Sequence, residues 1–176
     1  MLGRLLLASA AMLAVTGNLA GNTRDRLAWF LLAGVFIFLA VDEATMIHEF
    51  ASAPTREALS ASWVPQLAWV LPYGAAMLVL AAILLPWFLR LDRPSQIRFV
   101  IAGLLFVGGA IGFELFESAQ MHDILAANPD TVVEELQDPI IDCLILVEES
   151  LELAGVGLFL QTLVHRLGGF TLRTGP

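Results

Sequence analysis

Residues 27–47 read LAWFLLAGVFIFLAVDEATMI. From Leu27 to Val41 no side chain is charged, and the whole run matches the roughly 20 residues a helix needs to cross a bilayer core. Trp29 and Phe30 stand near its start, where amphipathic rings favour the membrane interface. At its far end the chemistry changes abruptly to Asp42 and Glu43, followed by His48 and Glu49. An apolar span that ends in acids and a histidine sets both the fold class and the search for a site.

Four more apolar segments accompany it, at about 2–21, 64–89, 98–122 and 139–165. The separators, 22–26, 48–62, 90–98 and 123–138, are short and polar, and none holds a soluble domain. The chain from 1 to 176 therefore reads as one all-α integral membrane domain, a bundle of five transmembrane helices. Composition agrees: 58% of residues are apolar and 15% charged, against about 45–50% and about 25% in soluble domains. The lipid bilayer is thus the expected surrounding. The nine basic residues are all Arg, the net charge is -8, and no basic patch offers itself to nucleic acid. The single Cys143 lies in an apolar run, which leaves neither a disulfide framework nor a thiolate zinc site.

The first segment has two readings, because Arg4 followed by an apolar run also suits a signal peptide. Arginine placement favours a span. Arg24 and Arg26, then Arg90, Arg93 and Arg98, then Arg166 and Arg173 fall on one side of a five-span protein, with Arg4 and Arg56 on the other. Positive residues stay cytoplasmic, so the N-terminus is expected outside and the C-terminus inside. Pro72 and Pro86 are expected to bend the third span. Gly108 and Gly112 form a GxxxG pair that lets another helix come close.

An internal repeat points to a site. Glu43-x4-His48-Glu49 closes the second span and Glu117-x4-His122-Asp123 closes the fourth, at an offset of 74. At that offset Arg24 matches Arg98, Ala28 matches Ala102, Leu31 matches Leu105, Gly34 matches Gly108 and Ile37 matches Ile111. The spacing keeps these matches on roughly one helix face, which suggests a parallel duplication of spans 2–3 as spans 4–5. Both motifs then finish at the outer face, where the fifth span enters with Asp142, Glu148, Glu149 and Glu152. Glu148 lies about 13–14 Å below residue 139, and Glu114 about 12 Å below His122, so the acids share a depth.

A charge near the bilayer centre costs roughly 2.5–3.5 kcal/mol on the insertion scale. Asp42, Glu43, Glu114, Glu117, Glu148, Glu149 and Glu152 face His48 and His122, with Arg56 in a nearby loop and no Lys anywhere. Protonation, a water-filled vestibule or bound metal ions are the three ways to offset this excess of acid. Four-helix di-iron proteins use about four carboxylates and two histidines, a count that Glu43, His48, Glu117, His122, Glu148 and Glu152 would meet. Glu114 and Glu149 are deeper or adjacent candidates, and oxygen with imidazole donors suits iron, manganese or zinc. Against this, Glu43 and His48 are five apart and diverge by about 140° on a regular helix. Convergence requires a π-bulge or an unwound helix end. The bland alternative is that His48, Glu49, His122 and Asp123 anchor span ends, as His165 does beside Arg166.

The run Phe38-Leu39-Ala40-Val41-Asp42-Glu43-Ala44 with His48-Glu49, and the later Glu148-Glu149-Ser150-Leu151-Glu152, resembles small bacterial membrane proteins of unknown function. Those carry a "Leu-Asp-Glu-Ala … His-Glu" helix end and a late "Glu-Glu-x-Leu-Glu" helix; Val41 stands here where Leu is usual. The resemblance implies a bacterial inner-membrane location and acids that act together, and no particular chemistry. The chain resembles neither ceramidase-type hydrolases nor membrane desaturases, which need more than its three histidines. Three functions stay open: a metal-binding membrane protein, including a di-iron oxidoreductase; an accessory subunit or homo-oligomer within a larger complex; and a proton or cation translocator. Acids are confined to the outer half, which weighs against a path across the whole bilayer.

Overall fold

A computed structural model of the chain describes residues 1–59, 68–113, 116 and 139–169. The elements are α1 (Leu2–Leu19), α2 (Thr23–Thr45), α3 (Ile47–Leu59), α4 (Val70–Phe88), α5 (Arg93–Val107), a π-helix (Gly108–Phe113) that continues α5, and α6 (Pro139–Arg166). Among the described residues there is no strand, so the protein is all-helical. Leu2–Leu19, Thr23–Thr45, Val70–Phe88 and Arg93–Gly112 are each long and apolar enough to cross a membrane, which fits a multi-pass membrane protein. The 28-residue α6 is longer still, but Asp142, Glu148, Glu149 and Glu152 interrupt its apolar character.

Local chemistry sets the helix starts. Asn22 caps α2: its Oδ1 accepts the Asp25 N–H at 2.8 Å and its Nδ2 donates to Asp25 Oδ2 at 2.7 Å. The span therefore starts at Thr23, earlier than the apolar run suggests. Asp92 caps α5 in the same way, accepting from Ser95 N–H at 3.0 Å, with Pro94 in the first turn where a missing N–H does no harm. Burial raises the Asp92 carboxyl, but the Ser95 backbone N–H and hydroxyl and the Arg166 guanidinium outweigh it and hold the group below its ordinary value. Pro72 falls in the first turn of α4, whose leading N–H groups have no intrahelical acceptor, so only Pro86 is truly interior. The stretch 48–62, expected as a plain connection, holds the amphipathic α3.

α2 runs antiparallel to α1, with Leu2 and Leu6 near Ala40 and Gly17 against Trp29, and α6 runs antiparallel to α5, with Gly155 against Ala102 and Gly109 against Glu148. α1 lies along α2 and also touches α6, while α6 lies along α5. One buried cluster joins Leu13, Ala28, Trp29, Ala33, Leu84, Trp87 and Leu163. Trp29 and Trp87 meet edge to face there at 4.6 Å, and Phe159 stacks between Phe36 at 4.6 Å and Phe99 at 4.8 Å. A second cluster joins Leu2, Leu6, Ala40 and Val156, with Phe106 and Leu153 against it. Large apolar side chains such as Leu78, Ile83, Leu104 and Leu146 point outward. Water would penalise that surface at roughly 25 cal/mol per Å², whereas lipid does not.

Glycine lets α6 approach so closely. A Cβ on Gly155 would lie 2.7 Å from both the Ala102 carbonyl and the Phe106 nitrogen. One on Gly109 would lie 3.0 Å from the Glu148 carbonyl and from Glu152 Cγ. Gly108 and Gly112, the expected GxxxG pair, meet nothing within 4 Å among the described residues. The close approach to α6 is made instead by their neighbour Gly109. The matched residues Ala28 and Ala102 are both buried, yet α5 packs along α6 while α2 touches α4 sparingly.

Candidate functional site

The helix corner between α2 and α3 gathers the polar groups. α2 stops because Met46 takes the left-handed conformation, φ 52° and ψ 41°, with its N–H on the Asp42 carbonyl at 2.7 Å. Thr45 Oγ1 donates to the Val41 carbonyl at 2.7 Å and tightens the same turn. A left-handed residue that is not glycine costs roughly 1–2 kcal/mol, so the surroundings must hold it. Asp42 does that. Its Oδ1 accepts the backbone N–H of His48 at 2.9 Å, one of the unsatisfied donors at the start of α3. Its Oδ2 lies 2.9 Å from His48 Nδ1, and Tyr73 on α4 donates its hydroxyl to Oδ1 at 2.8 Å.

Asp42 is only 8% exposed, and a buried carboxylate is tolerable when such donors surround it. A carboxylate can only accept, so Nδ1 of His48 is the nitrogen that carries a hydrogen toward Asp42. Aromatic rings enclose the group: Trp69 lies 5.1 Å from the His48 ring and 5.3 Å from Tyr73, and Phe38 6.0 Å from Tyr73. Chemically this is an imidazole oriented through Nδ1, whose Nε2 has no hydrogen-bond partner among the described residues and could take a metal ion.

Of the two ways for the Glu43–His48 stretch to depart from a regular helix, the unwound end occurs, at Met46; the π-helix lies elsewhere, at Gly108–Phe113. The residue brought to His48 is Asp42, however, and Glu43 is exposed. One step along α2 turns a side chain by about 100°, so the two neighbours face different ways. Glu43 instead lies beside α1, its Cγ 3.7 Å from where a Gly3 Cβ would be. Glu148 and Glu152 are half-buried on α6 beside Gly109, and Glu149 is exposed. Leu153 reaches the cluster of Leu2, Leu6 and Ala40, so Glu152 and Glu43 belong to the same end of the bundle. Glu114, Glu117 and His122 lie outside the described residues, as do Asp123 and the Glu49 side chain. Among the described residues, no three His, Cys, Asp or Glu side chains converge as a metal cluster would.

Tyr73 was not legible as a site residue, although it is the chain's single tyrosine and sits in an apolar run. Asp42 was legible as a costly acid but not as the partner of His48. Spacing on an unbroken helix cannot foresee a contact made through a reversal at Met46.

No curated protein and no solved structure matches the chain. A family model does, over residues 1–167. The chain therefore belongs to the family described as a domain of unknown function, DUF8692.

Proposed function

We propose that this is a five-span inner-membrane protein holding a carboxylate–histidine metal site at the outer end of its bundle. The single observation that supports it most is the Asp42–His48 pair. Metal-binding histidines generally donate their other ring N–H to a carboxylate or carbonyl, which fixes the tautomer and raises ligand basicity. Asp42 meets His48 in that way at 2.9 Å. The ligands would be drawn from Glu43, His48, Glu114, Glu117, His122, Glu148, Glu149 and Glu152, and the metal would be iron, manganese or zinc. A resident cation is one way to offset the excess of Asp and Glu over Arg in a chain with no Lys.

The fifth span rests on α6. Its 28 residues reach about 42 Å, ample for a hydrocarbon core about 30 Å thick. Packing of α6 against α1 and α5 would shelter Glu148 and Glu152 from lipid. The parallel repeat is part of the same proposal, with His122 the counterpart of His48. A second reading, proton handling, is favoured by the Tyr73–Asp42–His48 hydrogen-bond chain. Elemental analysis of protein purified in mild detergent without chelators separates the two. The metal reading expects about one or two transition-metal ions per chain, sharply reduced in the Glu148→Ala, Glu152→Ala double variant. Metal-free protein that keeps its fold would support proton handling instead.

A further inference from the structure

The opposite end of the bundle carries a second feature. Six arginines collect there, Arg24, Arg26, Arg90, Arg93, Arg98 and Arg166, against Asp25 and Asp92. At this end opens a cleft of about 420 Å³, and of these charged residues Arg90, Arg166 and Asp25 line it, with Trp29 and Trp87. Arg90 donates Nη1 to the Pro86 carbonyl at 3.0 Å and Nη2 to Asp25 at 2.7 Å. Arg166 donates through Nη1 to Asp92 and, at 2.9 Å, to Ser95 Oγ, with its guanidinium 5.7 Å from the Trp29 ring. Each guanidinium has five N–H donors, so about three on each remain for a ligand.

Beyond Trp87 the surface changes character. A groove of about 240 Å³, lined by Leu32, Leu85, Phe88, Phe99 and Phe159 among others, is almost wholly apolar. Trp87 lines both spaces, and its buried Nε1–H has no acceptor among the described residues. A cleft bearing two arginines thus adjoins an apolar groove, with the Trp87 ring lining both. That order matches the order of groups in a phospholipid, phosphate first and acyl chain beyond it.

We infer that this end of the bundle binds one anionic phospholipid, its headgroup between Arg90 and Arg166 and an acyl chain along the Leu85–Phe99 groove. Arginine suits phosphate through paired N–H donors, and basic pockets between membrane helices take anionic headgroups by this means. The excess of arginine over acid at this end favours an anionic lipid over a zwitterionic one.

Native mass spectrometry of the full chain in detergent tests it with three probes: dioleoyl phosphatidylglycerol, dioleoyl phosphatidylcholine and inorganic phosphate. Phosphatidylglycerol should be retained about tenfold more than phosphatidylcholine, with phosphate alone not retained. Arg166→Gln should cut phosphatidylglycerol retention about fivefold. Because that change also breaks the Asp92 pair, Ala81→Phe serves as a second variant: Ala81 is an exposed wall of the groove, away from both ion pairs. It should also cut retention about fivefold, by filling the acyl-chain site. Equal retention of the two lipids, phosphate retained as well as lipid, or Ala81→Phe without effect would each overturn the assignment.

Discussion

Asp42 is the residue on which the α2–α3 corner depends. It accepts from the His48 backbone, the His48 ring and Tyr73, three donors from two residues, one on α3 and one on α4. Asparagine at this position would keep one acceptor and turn an NH2 toward groups that are themselves donors. Asp42→Asn should therefore cost about 3 kcal/mol in unfolding measured in detergent, and Tyr73→Phe about 1–2 kcal/mol. A Tyr73→Phe cost equal to or above that of Asp42→Asn would mean that the carboxylate does not hold the corner together. At this scale the sequence was half readable. That an acid beside residue 42 mattered followed from burial cost alone, but which of Asp42 and Glu43 turns toward His48 depends on Met46 reversing the chain.

Among the elements, the contact of α5 and its π-helix with α6 has the least slack. Gly155 admits no Cβ without moving the backbone of Ala102 and Phe106, whereas Gly109 would press mainly on the Glu148 carbonyl and the flexible Glu152 side chain. Gly108 meets nothing within 4 Å among the described residues. Alanine scanning should give a ranked result: Gly155→Ala losing about 2–3 kcal/mol or failing to fold, Gly109→Ala about 1 kcal/mol, and Gly108→Ala nearly nothing. Thermal unfolding of the three variants checks the order, and a large loss at Gly108 would contradict the packing. The GxxxG pair itself meets no other helix among the described residues; Gly109, one position on and so on a different face, makes the contact with α6.

Over the whole molecule, antiparallel packing separates two chemistries. Arg90 and Arg166 with Trp29 and Trp87 gather where α1, α4 and α6 end and where α2 and α5 begin; the Asp42–His48 corner, Glu43, Glu148 and Glu152 occupy the other end. The apolar runs made four crossing helices readable from hydropathy, with ends shifted by the Asn22 and Asp92 caps. α3 was not readable, since a short amphipathic helix with an internal Pro54 looks like a polar connection. If the arginine end is cytoplasmic, reporter fusions at Arg93 and at the C-terminus will read cytoplasmic, and fusions at Ala53 and Ala127 will read periplasmic. A cytoplasmic signal at Ala127 would invert the proposed placement of the acids.

The central claim, that His48 is a metal ligand oriented by Asp42, meets its most direct test in metal content. Elemental analysis would compare the wild-type protein with His48→Gln and Asp42→Asn, all purified in mild detergent without chelators. His48→Gln keeps a hydrogen-bonding group, so it should fold and still lose most of the metal. Asp42→Asn should bind about 10–100-fold more weakly, as loss of an orienting partner does. Wild-type protein that folds without metal, or metal retained in full by His48→Gln, would contradict the account.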